Sequence, residues 1–298
     1  MTNGNFGRIR IGSKIGTTLT VLGKIPSWGG DPVFLVWNHL DWCPMALKLF
    51  RSRRRARREA TALSSLSHPN IVRCFGYRKP SYTLMEFLEG PTLRSLMARQ
   101  PKKRLTISNA IRVAIYLGSA LQHIHAKGFI HMDVKPDNVI VINARPVLFD
   151  FGSMRIKGAA RPPNIDGTDP YIAPEESLLK DVDEKADVFS LGVTLYKMLT
   201  GKFPFPDRKY KGRLSQVTRP PTRLRRHLPT ASKALEAIVM ACLARAPAER
   251  PTISALLPDL HGLIRGGPAM WPAGFQPNNT TRPIRRMNAR SGANSAAR

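Results

Sequence analysis

Apolar positions recur along the chain with two different periods, and the change of period divides it. From Ile9 to about Phe50 the runs TTLTVLGKI, PVFLVW and MALKLF are rich in β-branched and aromatic residues and broken by Gly and Pro. That pattern predicts strands. A helical period follows from about Ser52 to Leu66 and is closed by His68-Pro69-Asn70, after which IVRCFGY and YTLMEFL read as two more strands. Beyond Gly90, TISNAIRVAIYLGSALQHIHAKG reads as an amphipathic helix with Gly128 placed to end it. A short apolar hairpin, an irregular stretch and further helices complete the chain to about Arg265. The pattern predicts an α+β protein with a small strand-rich lobe over 1–88 and a larger, mainly helical lobe over 89–265. The Gly-, Pro-, Asn-, Ser- and Arg-rich remainder, 266–298, predicts a loose basic tail.

Composition narrows the class. At 298 residues and 42% hydrophobic content, the chain can bury a substantial core and is globular. No apolar window approaches a membrane span or a signal peptide. Cys43, Cys74 and Cys242 lack metal-ligand spacing and predict buried thiols in a reducing compartment, hence a cytoplasmic protein. The formal charge of +27 is concentrated in RSRRRARR (51–58), PKKR (101–104), the stretch 208–227 and the tail, which holds five Arg and no acid. Such a surface attracts acidic proteins, anionic lipid or nucleic acid, or is simply solvated. No repeat, heptad or zinc knuckle specifies a nucleic-acid module, and oligomeric state is not legible.

The stretch HMDVKPDNVIVINARPVLFDFG (131–152) carries the chemistry. Val139–Ile142 and Val147–Phe149 form two apolar strands around the turn NARP. Antiparallel pairing brings the outer ends together, so Asn138 and Asp150 meet within ~5 Å. An amide oxygen and a carboxylate there suit Mg²⁺, which completes its shell with water and phosphate oxygens. Asp133 supplies a second carboxylate able to accept a proton, and Lys135 can neutralise a moving phosphoryl group. A polar loop capping a hairpin would explain one or two of these residues, hardly four in this order.

HMDVKPDN followed by DFG resembles the catalytic and metal loops of Hanks-type, eukaryotic-like serine/threonine protein kinases. Further matches follow in order. Ala46-Leu47-Lys48 resembles the end of the third strand, and GTDPYIAPE (167–175) the segment that closes the activation loop. DVFSLGV (187–193) is similar to the D-x-W-S-x-G helix with Phe189 for Trp, and PAERP (247–251) offers Arg250 to pair with Glu175. The resemblance covers about residues 8 to 262 and implies a bilobal fold, a small antiparallel sheet with one helix above a larger helical lobe. It implies ATP with Mg²⁺, or Mn²⁺ as an alternative, and protein substrates, which the charge predicts to be acidic.

Residue by residue, the resemblance implies that Lys48 holds the nucleotide phosphates. In MALKLF, Ala46 and Lys48 point to one face and Met45, Leu47 and Leu49 to the other. Ala56, Glu59, Leu63 and Leu66 share one helical stripe, so Glu59 is an acid on an inward apolar face and the implied partner of Lys48. The competing partner is Arg55, one turn earlier. The Gly-rich phosphate loop falls on IGSKIGTTLTVLG if Gly12 is its first glycine, with Lys14 and Thr17 at eroded positions and Gly16 as a shifted substitute. An insertion of roughly residues 25 to 42 then delays Lys48. Adenine would lie against Ala46 with Leu19 or Val21, and the backbone of Glu86 and Leu88 would face its edge beside Met85. Cys74, Leu63, Phe151 and His131 are expected in the core. Thr168 would join Asp133 and Lys135 below the γ-phosphoryl.

Two departures matter for regulation. Met132 stands where many such kinases place an Arg that pairs with an activation-loop phosphate, and residues 154–167 contain no Ser, Thr or Tyr. Together they predict activity without loop phosphorylation. The eroded glycines support a different reading, a pseudokinase adaptor that binds nucleotide or an acidic partner without turnover. A small-molecule phosphotransferase is the other enzymatic alternative, disfavoured by the APE segment.

Overall fold

The computed structural model describes residues 9–26, 31–78, 81–159, 168–205, 209–210 and 213–264. The tail expected over 266–298 lies outside the described residues. In the first part of the chain, β1 (Lys14–Ile15), β2 (Leu19–Ile25), β3 (Val33–Asn38), β4 (Cys43–Leu49), β5 (Cys74–Arg78) and β6 (Tyr82–Glu86) form one antiparallel sheet. Its order is β1-β2-β3-β4-β6-β5. Strand alternation sorts the sheet's side chains. Leu19, Val21, Phe34, Val36, Met45, Leu47 and Leu84 close one small core, while Ala46 and Met85 join the large one.

Between β4 and β5 runs α1 (Arg53–Ser64), whose first turn is capped by the Ser52 hydroxyl accepting from the Arg55 N–H at 3.3 Å. Its buried positions are Ala56, Glu59, Ala60, Ala62 and Leu63.

Helices dominate the remainder. These are α2 (Leu93–Ala98), α3 (Ile107–Ala126), α4 (Pro174–Ser177), α5 (Lys185–Thr200), α6 (Ser215–Thr218), α7 (Leu224–His227), α8 (Lys233–Cys242) and α9 (Ile253–Gly262). α3 starts on a Thr106 cap and ends before Gly128, whose φ of 78° is the left-handed turn a glycine supplies at no steric cost. It buries Ile111, Leu117, Leu121 and Ile124 against α5 and α9, each contributing about 1.5–3 kcal/mol. Short strand pairs line the junction: β7 (Phe129–Ile130) with β10 (Arg155–Ile156), and β8 (Val139–Ile142) with β9 (Arg145–Leu148). A further pair, β11 (Lys209–Tyr210) and β12 (Arg213–Leu214), precedes α6. The expected hairpin turn is tighter than read: Asn143 and Ala144 alone make it, at φ 46° and 68°.

One buried ion pair ties α4 to the segment between α8 and α9. The Arg250 guanidinium grips Glu175 through two bonds of 2.6 and 2.7 Å, donates to the carbonyls of Ala244, Lys185 and Arg245, and lies 5.0 Å over Phe189. Arg250 is 2% exposed, so its charge depends on those partners. Glu175→Ala leaves that charge unpaired, and we expect a loss of about 3–5 kcal/mol. Thermal unfolding should shift down by about 10 °C or more, whereas Glu249→Ala on the exposed surface nearby should leave the midpoint within about 2 °C.

Candidate active site

Lys48 sits where β4, α1 and the hairpin β8–β9 converge. Its Nζ donates to Glu59 Oε1 at 2.8 Å and Asp150 Oδ1 at 3.3 Å. Lys48 and Glu59 are both buried, at 8% and 4% exposure. Burial alone would lower the lysine's pKa, but the carboxylates of Asp150 and Glu59 outweigh it and hold it above the ordinary value. Burial pulls Asp150 upward, yet Lys48 and the Gly152 N–H at 3.2 Å hold its carboxyl below the usual range. Arg55 does not take Glu59. Its guanidinium turns instead to Asp31, at 3.3 Å.

The loop after β7 is built around Asp187 of α5. This carboxylate is fully buried and accepts from the backbone N–H of His131 and Met132, both at 2.8 Å, and pairs with His125 Nε2 at 2.8 Å. Burial opposes its ionisation, but His125 and these N–H groups hold it below the ordinary carboxylate range. The two N–H bonds clamp Met132 at φ 71°, a left-handed conformation costly for a non-glycine residue. His131 stacks edge-on against Phe151 at 4.9 Å, and burial keeps it neutral. Its Nδ1 accepts from the Asp133 N–H at 3.2 Å.

Asp133 emerges from this clamp. Its Oδ2 accepts from Lys135 Nζ at 2.6 Å and Asn138 Nδ2 at 2.8 Å, and its Oδ1 from the Thr168 hydroxyl at 3.1 Å. Lys135 also reaches Thr168 Oγ1, at 2.5 Å. Asn138 lies beside the hairpin's open end, its carbonyl accepting from Phe149 N–H at 3.1 Å. Its side-chain amide nitrogen is spent on Asp133, which leaves Oδ1 without a protein partner among the described residues. Asp150 Oδ2 is likewise unengaged, and this side chain is 39% exposed. Two unspent oxygens, one amide and one carboxylate, fit a hard divalent cation that takes its remaining ligands from water and phosphate.

The structure corrects the expected phosphate loop. In register, Ile25 pairs Val33 and Val33 pairs Lys48, so β2 ends and β3 begins beside Lys48. Gly16 instead makes the β1–β2 turn, at the sheet end marked by the pairing of Asn38 with Cys43, five residues from Lys48 along β4. At strand rise that is roughly 17 Å away. Gly12 bonds through its N–H to the Val21 carbonyl. Neither glycine is placed to approach a phosphate beside Lys48. Residues 25–42 are correspondingly no insertion, because β3 is the strand paired with β4. Leu19 and Val21 belong to the other core; Ile25 and Val33 pack with Ala46 on the large-core side. In sequence, Gly29 and Gly30 fall between β2 and β3; residues 27–30 lie outside the described residues.

Ala46 pairs Met85, and Met45 pairs Glu86, so the chain leaves the sheet beside Ala46. Glu86 spends its N–H on the Arg73 carbonyl and its carboxylate on the Arg73 N–H, while the Leu88 backbone makes no hydrogen bond among the described residues. Leu63 and Phe151 are buried in the large core with half-buried Cys74 packed against it. The Asp187 clamp and the Asp31–Arg55 pair carry site geometry that the sequence reading did not assign.

Comparison with known proteins agrees with the fold. A family model described as protein kinase domain matches residues 32–260. The chain is 33% identical over 261 residues to the serine/threonine-protein kinase Pkn1 of Myxococcus xanthus, covering 83% of this chain and 36% of that protein. It is 32% identical over 281 residues to PknA of Mycobacterium tuberculosis, covering 85% and 64%. The chain thus spans from about a third to under two thirds of the length of these relatives. Among solved structures, a point mutant of the PknI kinase domain of M. tuberculosis superposes with a TM-score of 0.68 at 25% identity, covering 85% of this chain and 98% of that one.

The Asp187 clamp has a pH signature. Because its folded-state pKa lies below the unfolded value, its stabilising contribution is complete above about pH 4 and is lost as pH falls through the folded value. Asp187→Asn should cost about 1.5–3 kcal/mol at pH 7. Its thermal midpoint should also fall less steeply than the parent's between about pH 4 and pH 2.5; parallel curves would contradict the assignment.

Proposed function

This chain belongs to the Hanks-type serine/threonine protein kinase family, and we propose that it transfers the γ-phosphoryl of ATP to serine or threonine hydroxyls of proteins. The observation that carries the proposal is the Asp133 carboxylate held by Lys135, Thr168 and Asn138 in front of the Lys48–Glu59–Asp150 junction. Bound Mg²⁺·ATP supplies the phosphoryl group and the counter-charge that lets it move. Lys48, steadied by Glu59, holds the inner phosphates. Asn138 Oδ1 and Asp150 hold the cation, and the Leu88 backbone takes the adenine edge. Asp133 orients the substrate hydroxyl and accepts its proton, since its Oδ1, engaged only by Thr168, keeps a further acceptor site. Lys135, bridging Asp133 and Thr168, neutralises charge on the transferring group.

Protein substrates are favoured by the rigidity of the segment that would receive them. The Asp169 and Ile172 carbonyls accept from Gln216 Nε2 at 2.7 and 3.0 Å, and the Tyr171 carbonyl from the Ser190 hydroxyl at 2.8 Å. The charge of +27 favours acidic substrates. All three thiols are free, which fits a cytoplasmic setting, but only Cys242 is buried as expected; Cys43 and Cys74 are half-buried. The eroded glycines that support a pseudokinase adaptor, Gly12 and Gly16, lie away from Lys48.

Asp133→Asn should lower turnover on a protein substrate by about 10²–10⁴-fold and change ATP affinity by less than about threefold. Nucleotide binding without transfer in the parent chain would establish the adaptor instead. Met132 is buried, 2% exposed, and offers no cation to a phosphate. Phosphatase-treated protein should therefore keep its initial rate within about twofold, and mass spectrometry should find no phosphate between residues 154 and 167 during turnover.

A further inference from the structure

The helix that carries Glu59 has two electrostatically opposed faces. Ala56, Glu59, Ala60 and Leu63 are buried, while Arg53, Arg54, Arg57 and Arg58 are exposed. At 100° per residue those four arginines span roughly 140° of the helix surface, opposite the buried stripe. Arg51, also exposed, extends the strip. Arg55 differs: it forms an ion pair with Asp31 and approaches Gly152, so it belongs to the inner side of α1. None of the other five arginines has an acidic partner among the described residues. The first turn contains no acid, so the arginines also face the positive end of the helix dipole. Arg53 with Arg57, and Arg54 with Arg58, repel at a spacing of four.

We propose that this outer face of α1 docks an acidic segment of a partner protein, and that docking steadies α1 and with it the Glu59–Lys48 pair. The second half rests on the phosphotransfer reading; the first does not. Guanidinium groups match carboxylates in a bidentate geometry, and a strip of about two turns, roughly 10 Å long, fits a few acidic side chains. Three other occupants are disfavoured. The chain's own 266–298 stretch carries five Arg and no acid, and a second copy would bring another net charge of +27. Nucleic acid would draw on base stacking or an extended phosphate track, whereas α1 has no aromatic residue and the strip is short.

The test uses the full chain at 150 mM salt and a labelled twelve-residue Glu/Asp peptide, read by fluorescence anisotropy. Two fourfold variants remove the same charge: Arg53→Gln with Arg54→Gln, Arg57→Gln and Arg58→Gln on α1, and Lys102→Gln with Lys103→Gln, Arg225→Gln and Arg226→Gln elsewhere. Glutamine keeps helix propensity, and matched circular dichroism confirms folding. The α1 variant should weaken peptide binding by about tenfold or more, as four surface charge contacts together predict, and the control by less than about twofold. Saturating peptide should raise turnover on a neutral substrate and slow amide exchange across 53–64 in the parent, but not in the α1 variant. Equal losses in both variants, no binding at this salt, or tighter α1-dependent binding of a duplex oligonucleotide would each overturn the docking proposal. Peptide binding and amide protection with no transfer in any form would refute the phosphotransfer reading while leaving the docking site standing.

Discussion

One buried ammonium group holds the site together. Lys48 comes from the sheet, Glu59 from the helix packed on it, and Asp150 from the end of a hairpin over a hundred residues later. Each partner alone would be a charge taken out of water at a cost of several kcal/mol. They are tolerable only together, so the three elements are compelled into one relative placement. The geometry is a consequence of electrostatics: a sheet face of Val33, Ala46 and Met85 could pack a helix in more than one register, but only one brings Glu59 over Lys48.

A second buried charge does the same for the lower half. Asp187 has no solvent exposure and satisfies itself on two successive backbone N–H groups and a histidine. Those bonds force Met132 into a left-handed conformation and thereby aim Asp133 outward, toward Thr168. Asp133 then serves as the acceptor for three side-chain donors. Lys48 with its acids defines where phosphates can lie, and Asp187 defines where the proton acceptor stands.

Residues 131–152 were legible because antiparallel pairing converts sequence distance into spatial closeness. Asn138 and Asp150, twelve positions apart, fall at the open end of one hairpin by strand geometry alone. Glu59 was legible for a related reason, an acid on an otherwise apolar stripe being too costly to leave unpaired. The phosphate loop was not legible. Glycines are common in turns, and rejecting Gly12 and Gly16 required knowing which strand lies beside β4. That is a property of sheet order, to which local composition is blind. The two-residue β1 was the specific trap, since it places a glycine turn before a genuine strand at the sheet's far end. Asp187 and Arg55 were missed as site elements because their partners are backbone groups and residues on other elements, which no periodicity marks.

The absence of a cation at position 132 is coherent with the way the loop is held. A loop positioned by an arginine and an incoming phosphate needs a site that is unfilled until modification. Here Met132 is packed in the core with Met154, and the two N–H groups that fix its backbone are bound by a carboxylate already in place. Met132 itself offers an incoming phosphate no cation. Among the described residues, one cluster of unpaired charge lies on the outer face of α1, the helix that carries Glu59. An anion added along α1 would relieve the repulsion between arginines four residues apart, whereas one added beside Met132 would meet the buried Asp187 carboxylate.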